Sequence, residues 1–182
     1  MLTKRAAIPI DERDRISRVL TEKFLVSEIY RASKILMAYA STADELQLDG
    51  LFAACFADQK ILAIPFIVGR GKMLPVVVPN FDSLEIGAFN IPTVREPRNF
   101  LDPAQIDCVV VPGAAFAVNG GRLGLGGGYY DRFLPRAKNS VTVALAYDFQ
   151  IVDNLPLESH DVRVDFVVTE KFFWRCKTYE TL

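Results

Sequence analysis

Three short apolar runs constrain this chain more than any other feature: DCVVVPG at Asp107–Gly113, VTVALAY at Val141–Tyr147 and VDFVVT at Val164–Thr169. A strand with one wet face alternates apolar and polar residues, and these runs do not alternate. They therefore read as strands buried on both faces, the kind found in parallel sheets covered by crossover connections. KILMAYA (Lys34–Ala40) reads as another strand. KILAIPF (Lys60–Phe66) and MLPVVVP (Met73–Pro79) read as two more, with prolines that mark breaks or edges.

Helical spacing fills the gaps. Ile16, Val19, Leu20 and Phe24 recur with charges between them, which predicts a helix over Asp11–Ser33. Pro9 bars an earlier start, and Asp11 or Ser17 supplies the cap. Leu46–Gln59 and Tyr129–Lys138 read as helices, and Phe81–Ile106 as a long, polar, proline-bearing connection. Strands alternating with helices predict an α/β class: one domain over 1–182, an α/β/α sandwich with a largely parallel central sheet. A chain of 182 residues is long enough for one real core.

The net charge of −1 gives no basic excess for nucleic acid, and no Lys/Arg block suits an anionic membrane. No stretch is long and apolar enough to span a bilayer, and the first residues lack the apolar core of a signal peptide. Cys55, Cys108 and Cys176 are far apart, sit among apolar neighbours and form no CxxC. They read as buried thiols in a reducing compartment, with no structural zinc site. These points predict a cytoplasmic protein, read as a monomer.

NGGRLGLGGGYYDRFL, from Asn119 to Leu134, holds six of the eleven glycines. It follows a buried strand and leads into a helix, so it belongs in the crevice beyond the carboxyl ends of the strands. Backbone N–H groups freed of side chains there make an anion cradle, and Arg122 adds a guanidinium for phosphate oxygens. A plain surface connection is the other reading, but Leu123, Leu125 and the GYYD helix entry suggest a shaped turn. The loop is neither a Walker loop, which needs Gly-Lys-Ser/Thr, nor a dinucleotide fingerprint, since GxGxxG fails from both Gly124 and Gly126. Asp131 beside a phosphate cradle is either a magnesium ligand or a first-turn acid offsetting the helix dipole.

GGRLGLGGGYYDRFL resembles the signature of the 5-formyltetrahydrofolate cyclo-ligases, also called methenyltetrahydrofolate synthetases. YASTADEL (Tyr39–Leu46) is similar to that family's folate-binding segment, with Tyr39 and Glu45 in register. KILAIPFI, LEIGAFNIPTVREP and ALAYDFQIVDNLPLESHDVRVDFVVTE extend the resemblance over roughly residues 35 to 170. The resemblance implies ATP- and Mg2+-dependent conversion of 5-formyltetrahydrofolate to 5,10-methenyltetrahydrofolate, with ADP and phosphate released.

By the same resemblance, Arg122, Leu123, Gly124, Leu125, Gly126, Gly127, Gly128, Tyr129 and Tyr130 line the ATP phosphates. Ala40, Glu45, Leu125, Gly126, Gly127, Gly128 and Tyr129 lie against the folate, with Glu45 hydrogen-bonding the pterin. Asp131 and Asp161 hold magnesium. His160, the single histidine, is taken as structural. The family opens with a Lys-x-x-x-Arg pair, which this chain lacks: Lys4 is followed four residues on by Ile8. Lys4 and Arg5 are the cations expected to act with Arg122 in catalysis. The alternative is a non-catalytic folate- or nucleotide-binding relative.

Overall fold

A computed structural model describes residues 1–87, 90–158 and 161–176. Helix α1 (Leu2–Ala6) ends before Pro9, and α2 (Ile10–Leu25) starts directly after it, since proline presets the first helical turn but cannot continue a preceding one. The expected single helix to Ser33 is broken: Ser27 caps a separate α3 (Glu28–Ala32), accepting from the Tyr30 amide at 3.2 Å. Ser17 caps nothing. It lies inside α2, where its hydroxyl donates to the Arg13 carbonyl and accepts from the Gln47 amide. Strand β1 (Ile35–Met37) follows, then α4 (Asp49–Ala57), β2 (Ile61–Gly69) and β3 (Lys72–Val77). A small hairpin, β4 (Leu84–Ile86) and β5 (Pro92–Val94), occupies the long connection. Then come β6 (Cys108–Val110), β7 (Ala115–Ala117), β8 (Arg122–Leu123), α5 (Tyr129–Phe133), β9 (Val141–Leu145), β10 (Ile151–Val152), β11 (Phe166–Val168) and β12 (Phe173–Arg175).

Seven strands form the main sheet in the order β12-β11-β9-β6-β1-β2-β3. The five inner strands run parallel, and β3 and β12 close the edges antiparallel. Pro65 and Pro75 face each other across β2 and β3, beyond the point where β1 stops pairing with β2, so neither removes a donor that an inner neighbour needs.

Successive residues of the apolar runs serve opposite faces. Leu36, Cys108, Val110, Val143 and Val168 pack into one core with α2, α3 and α4. Met37, Val109, Val111, Ala144 and Val167 pack into the other with Phe116 and Phe133. The sheet is thus covered on both sides, as the unbroken runs predict. The second covering layer is thinner than a full sandwich implies: α5 is one short helix, continued by a 3-10 turn at Leu134–Arg136 where Pro135 removes a donor. Part of that layer is a three-stranded sheet, β10-β7-β8, which the sequence does not announce.

From β1 the chain builds outward through β2 and β3, then returns to add β6, β9, β11 and β12 on the other side. The reversal leaves a crevice at the carboxyl ends of β1 and β6, where ligands of open α/β sheets bind. Cys55, Cys108 and Cys176 are all buried and free of disulfide bonds, as expected.

Candidate active site

The residues that follow β1, β6 and β9 converge at this switch point. Tyr39 and Ala40 are buried just past β1, Gly113 lies just past β6, and Tyr147 just past β9. Arg5 of α1 and Glu45 of the loop before α4 complete the walls of a small cavity there, about 10 Å³ in volume. Gln150 fixes its floor, its amide donating to the carbonyls of Gly113 at 3.0 Å and Ala114 at 3.1 Å.

Glu45 is held on both oxygens. Oε2 accepts from the Thr42 amide at 3.0 Å and the Thr42 hydroxyl at 3.1 Å, and Oε1 lies 3.7 Å from the Arg5 guanidinium. Lys4 does not point into the cavity. It lies 4.6 Å over the Phe149 ring, which stacks on Tyr147 and so puts the ammonium at the rim.

The glycine loop joins the same crevice. Arg122 is turned inward beneath it, its side chain only 4% exposed, and Nη2 meets Asp131 Oδ1 at 2.6 Å. That oxygen also accepts from the Val162 amide at 3.3 Å, which ties the segment after Asp161 to α5. The guanidinium lies 5.8 Å from the centre of the Tyr130 ring.

Gly126 and Gly128 both have positive φ, +86° and +60°, a conformation that side-chain-bearing residues resist. A Cβ added to Gly126 meets no protein atom within 4 Å, so the space above it is open. Leu123 and Leu125 are exposed beside it.

One network of charges links the two halves. Burial first, then the charge of Glu45, raises the Tyr39 hydroxyl well above its ordinary value, with Tyr130, Arg5 and Tyr147 all within electrostatic reach. Tyr130 is raised likewise, by burial and then Glu45, with Arg122 opposing. Tyr130 therefore feels both Glu45 and the loop arginine. Four buried polar atoms around this network have no partner among the described residues: Arg5 Nε, Arg122 Nε, Tyr130 Oη and Tyr147 Oη. Buried polar groups are rarely left unbonded, so these are places for a ligand or water to satisfy.

A family model for the 5-formyltetrahydrofolate cyclo-ligase family matches residues 1–170. The chain belongs to that family. Among the cyclo-ligases it is 32% identical to the probable 5-formyltetrahydrofolate cyclo-ligase of Caenorhabditis elegans over 93% of this chain and 89% of the relative. It is 28% identical to the Mus musculus 5-formyltetrahydrofolate cyclo-ligase over 90% and 87%. The solved structure of Aquifex aeolicus 5,10-methenyltetrahydrofolate synthetase superposes over 100% of this chain and 91% of its own, with TM-score 0.86 and 34% identity.

Of the residues singled out in the sequence, Arg5 and Glu45 line the small cavity and Ala40 is buried just past β1, while Arg122 pairs with Asp131 at the start of α5, where Tyr129 and Tyr130 stand. His160 lies outside the described residues. Asp161 is described, with Oδ2 accepting from the Glu158 amide at 2.8 Å. Sequence reasoning gave no role to Gln150 or to Arg132. Both are polar residues in otherwise shaped segments, but Gln150 donates to Gly113 and Ala114, and Arg132 donates in part to Gly71, all far away in the chain.

Among the described residues no group of three or more His, Cys, Asp or Glu is placed to hold a metal ion. A magnesium ion that takes most of its oxygens from a polyphosphate and water needs only one or two carboxylates. Asp131 fits that requirement, because its Oδ1 is taken by Arg122 and Val162 while Oδ2 accepts no hydrogen bond among the described residues.

A wider groove of about 540 Å³ lies beside the crevice, between α2 and residues 43–50, lined by Arg13, Ser17, Arg18, Gln47 and Asp49 among others. Its size exceeds that of the crevice, and Arg13 Nε on its wall is likewise without a partner among the described residues, but four such atoms and the glycine loop surround the crevice, which therefore is the better candidate.

Proposed function

We propose that this chain converts 5-formyltetrahydrofolate to 5,10-methenyltetrahydrofolate, consuming ATP and releasing ADP and phosphate. The observation that supports the reading beyond family membership is the Tyr130 side chain, its hydroxyl buried within electrostatic reach of Glu45 and its ring centre 5.8 Å from the Arg122 guanidinium. One crevice thus offers a carboxylate for a pterin and a glycine loop for phosphates.

A formyl oxygen on nitrogen is a poor leaving group. Transfer of the γ-phosphoryl to that oxygen gives an imidate phosphate and ADP. The neighbouring secondary amine attacks the activated carbon and loses its proton, and the C–O bond breaks with release of phosphate. The oxygen of the formyl group leaves in the phosphate, so the ring closes without water being added. Chemistry of this type rests on positioning and charge stabilisation.

Glu45 accepts hydrogen bonds from the pterin, a carboxylate matching its paired donors. The loop from Leu123 to Gly128 presents its amides to the phosphates, Arg122 anchors the loop and offers its unpartnered Nε–H, and Leu125 and Tyr129 pack on the folate. Lys4 and Arg5 bring positive charge to the rim. Asp131, which accepts from the amide of Val162 next to Asp161, would hold Mg2+ together with Asp161, and the ion would neutralise phosphate charge. The small volume of the cavity requires the Arg5–Glu45 contact to open when the pterin enters. We further propose a monomer working in the cytoplasm, which the three unpaired thiols suit.

The test is the appearance of methenyltetrahydrofolate absorbance from 5-formyltetrahydrofolate, with ATP and Mg2+ present together or omitted in turn. Formation only when both are present is the expected result. Tight folate binding with no turnover supports the non-catalytic relative.

A further inference from the structure

We propose that Arg132 is a positioning residue that straps the glycine loop to the β2–β3 hairpin, and that residue 71 is glycine in order to admit it. The consequence for ATP rests on the function proposed above; the strap itself does not.

Arg132 reaches out of α5 in two directions. Its Nε donates to the carbonyl of Gly71, 61 residues earlier in the chain, at 3.0 Å, and its Nη2 donates to the carbonyl of Gly127 at 2.6 Å. The guanidinium fills the space that side chains at two glycines would occupy. A Cβ on Gly71 would land on it, and a Cβ on Gly128 would come within 2.9 Å of Nη1. Gly71 also has φ +67°, at the turn between two strands that pair along most of their length. The hairpin is thus a firm anchor, and α5 packs against its second strand.

What the strap fixes follows from peptide geometry. In a planar trans peptide the C=O and the following N–H point in opposite directions. Holding the Gly127 carbonyl toward Arg132 aims the Gly128 N–H to the other side. A peptide between two glycines is otherwise the one freest to flip. Arg132 therefore selects the orientation of the loop amide that immediately precedes α5. None of the ATP, folate or metal roles assigned above includes this residue.

The experiment compares wild type with Arg132→Ala, Arg132→Lys, Gly71→Ala and the double variant Arg132→Ala/Gly71→Ala. Amide hydrogen exchange over residues 124–128 should speed up about tenfold in Arg132→Ala and Gly71→Ala, since both remove the guanidinium from its seat. If the loop then spends about a tenth of its time in the competent form, KM for ATP rises about tenfold with kcat little changed. Arg132→Lys, which keeps a charged donor, should recover part of the loss. The double variant should be no worse than the worse single variant beyond about twofold, because the two changes cut one connection.

Unchanged loop exchange in both single variants overturns the strap, as does a double variant whose ATP loss is the product of the two singles. If Arg132→Ala fails to fold, Gly71→Ala and Arg132→Lys carry the same comparison. A wild type that makes no methenyltetrahydrofolate sinks the proposed reaction and leaves the strap to be decided by the exchange rates.

Discussion

Asp131 answers to two groups at once. Its Oδ1 holds Arg122 at 2.6 Å, and its other oxygen, which accepts no hydrogen bond among the described residues, is the one proposed for a metal. Asp131→Asn keeps a carbonyl that Arg122 can still reach but removes the charge a magnesium ion requires. The variant should fold, melt within several degrees of wild type and lose Mg2+-dependent turnover. Restored activity at ordinary Mg2+ would rule out the metal role. Gly126 permits a cleaner question. With φ +86° and nothing within 4 Å of an added Cβ, Gly126→Ala costs only local backbone strain of about 1–2 kcal/mol. A fall in ATP affinity of more than about tenfold, read by calorimetry, then reports a phosphate in that space, because no protein atom is there to clash. Gly126 and Asp131 were legible as residue types in a pattern. The inward turn of Arg122 was not, since an arginine in a glycine loop reads equally well as a surface cation.

At the scale of elements, α1 brings the cations and decides how they are used. Arg5 is 11% exposed and sits beside Glu45, while Lys4 stands over Phe149. Replacing both with alanine should lower turnover by about 100-fold, on the scale of losing one transition-state donor. Both side chains of the Arg5–Glu45 contact are largely buried, so its loss leaves Glu45 short of a partner and should cost about 1–3 kcal/mol of stability. Unchanged kinetics in the double alanine variant would remove both residues from the machinery. The break between α2 and α3 at Val26–Ser27 shows the limit of reading elements from periodicity. Apolar spacing continues through the break, and only the cap formed by Ser27 reveals it. Of the two proline-bearing strands only β3 is an edge; β2 lies inside the sheet, and its Pro65 stands beyond the residues that pair with β1, because proline's missing donor restricts where it can stand in a ladder.

For the molecule as a whole, burial governs the response to alkali. Cys55 and Cys176 are pushed up to about 11 by desolvation, and Tyr147 to about 12 by desolvation against Arg13 and Arg5. Tyr39 and Tyr130 are raised too. Each group holds its proton more tightly folded than unfolded. The stability they contribute is complete below the unfolded values, near 8.5 for cysteine and 10 for tyrosine, and is lost as pH climbs through the folded ones. The urea midpoint should therefore hold steady from about pH 7 to 8, begin to fall above about pH 9 and drop steeply between about 10 and 12. A midpoint still unchanged at pH 11 would show that these side chains are hydrated in solution.

The sequence by itself determined the parallel sheet, the place of the glycine-rich loop before a helix and the family likeness. Each of these is written in neighbouring residues: an unbroken apolar run, a run of glycines before a helix, a segment such as YASTADEL. Only the tertiary structure decided which distant partners these segments meet. Arg132 finds Gly71 across 61 residues, and Gln150 finds Gly113 across 37. Arg5 finds Glu45 because the reversal of strand order places the end of β1 under α1's side of the crevice. The physical reason is that a hydrogen bond or an ion pair depends on position and direction to within about an ångström. Apolar burial has no such direction, so a one-dimensional pattern carries it well and leaves the polar pairings to be fixed by packing.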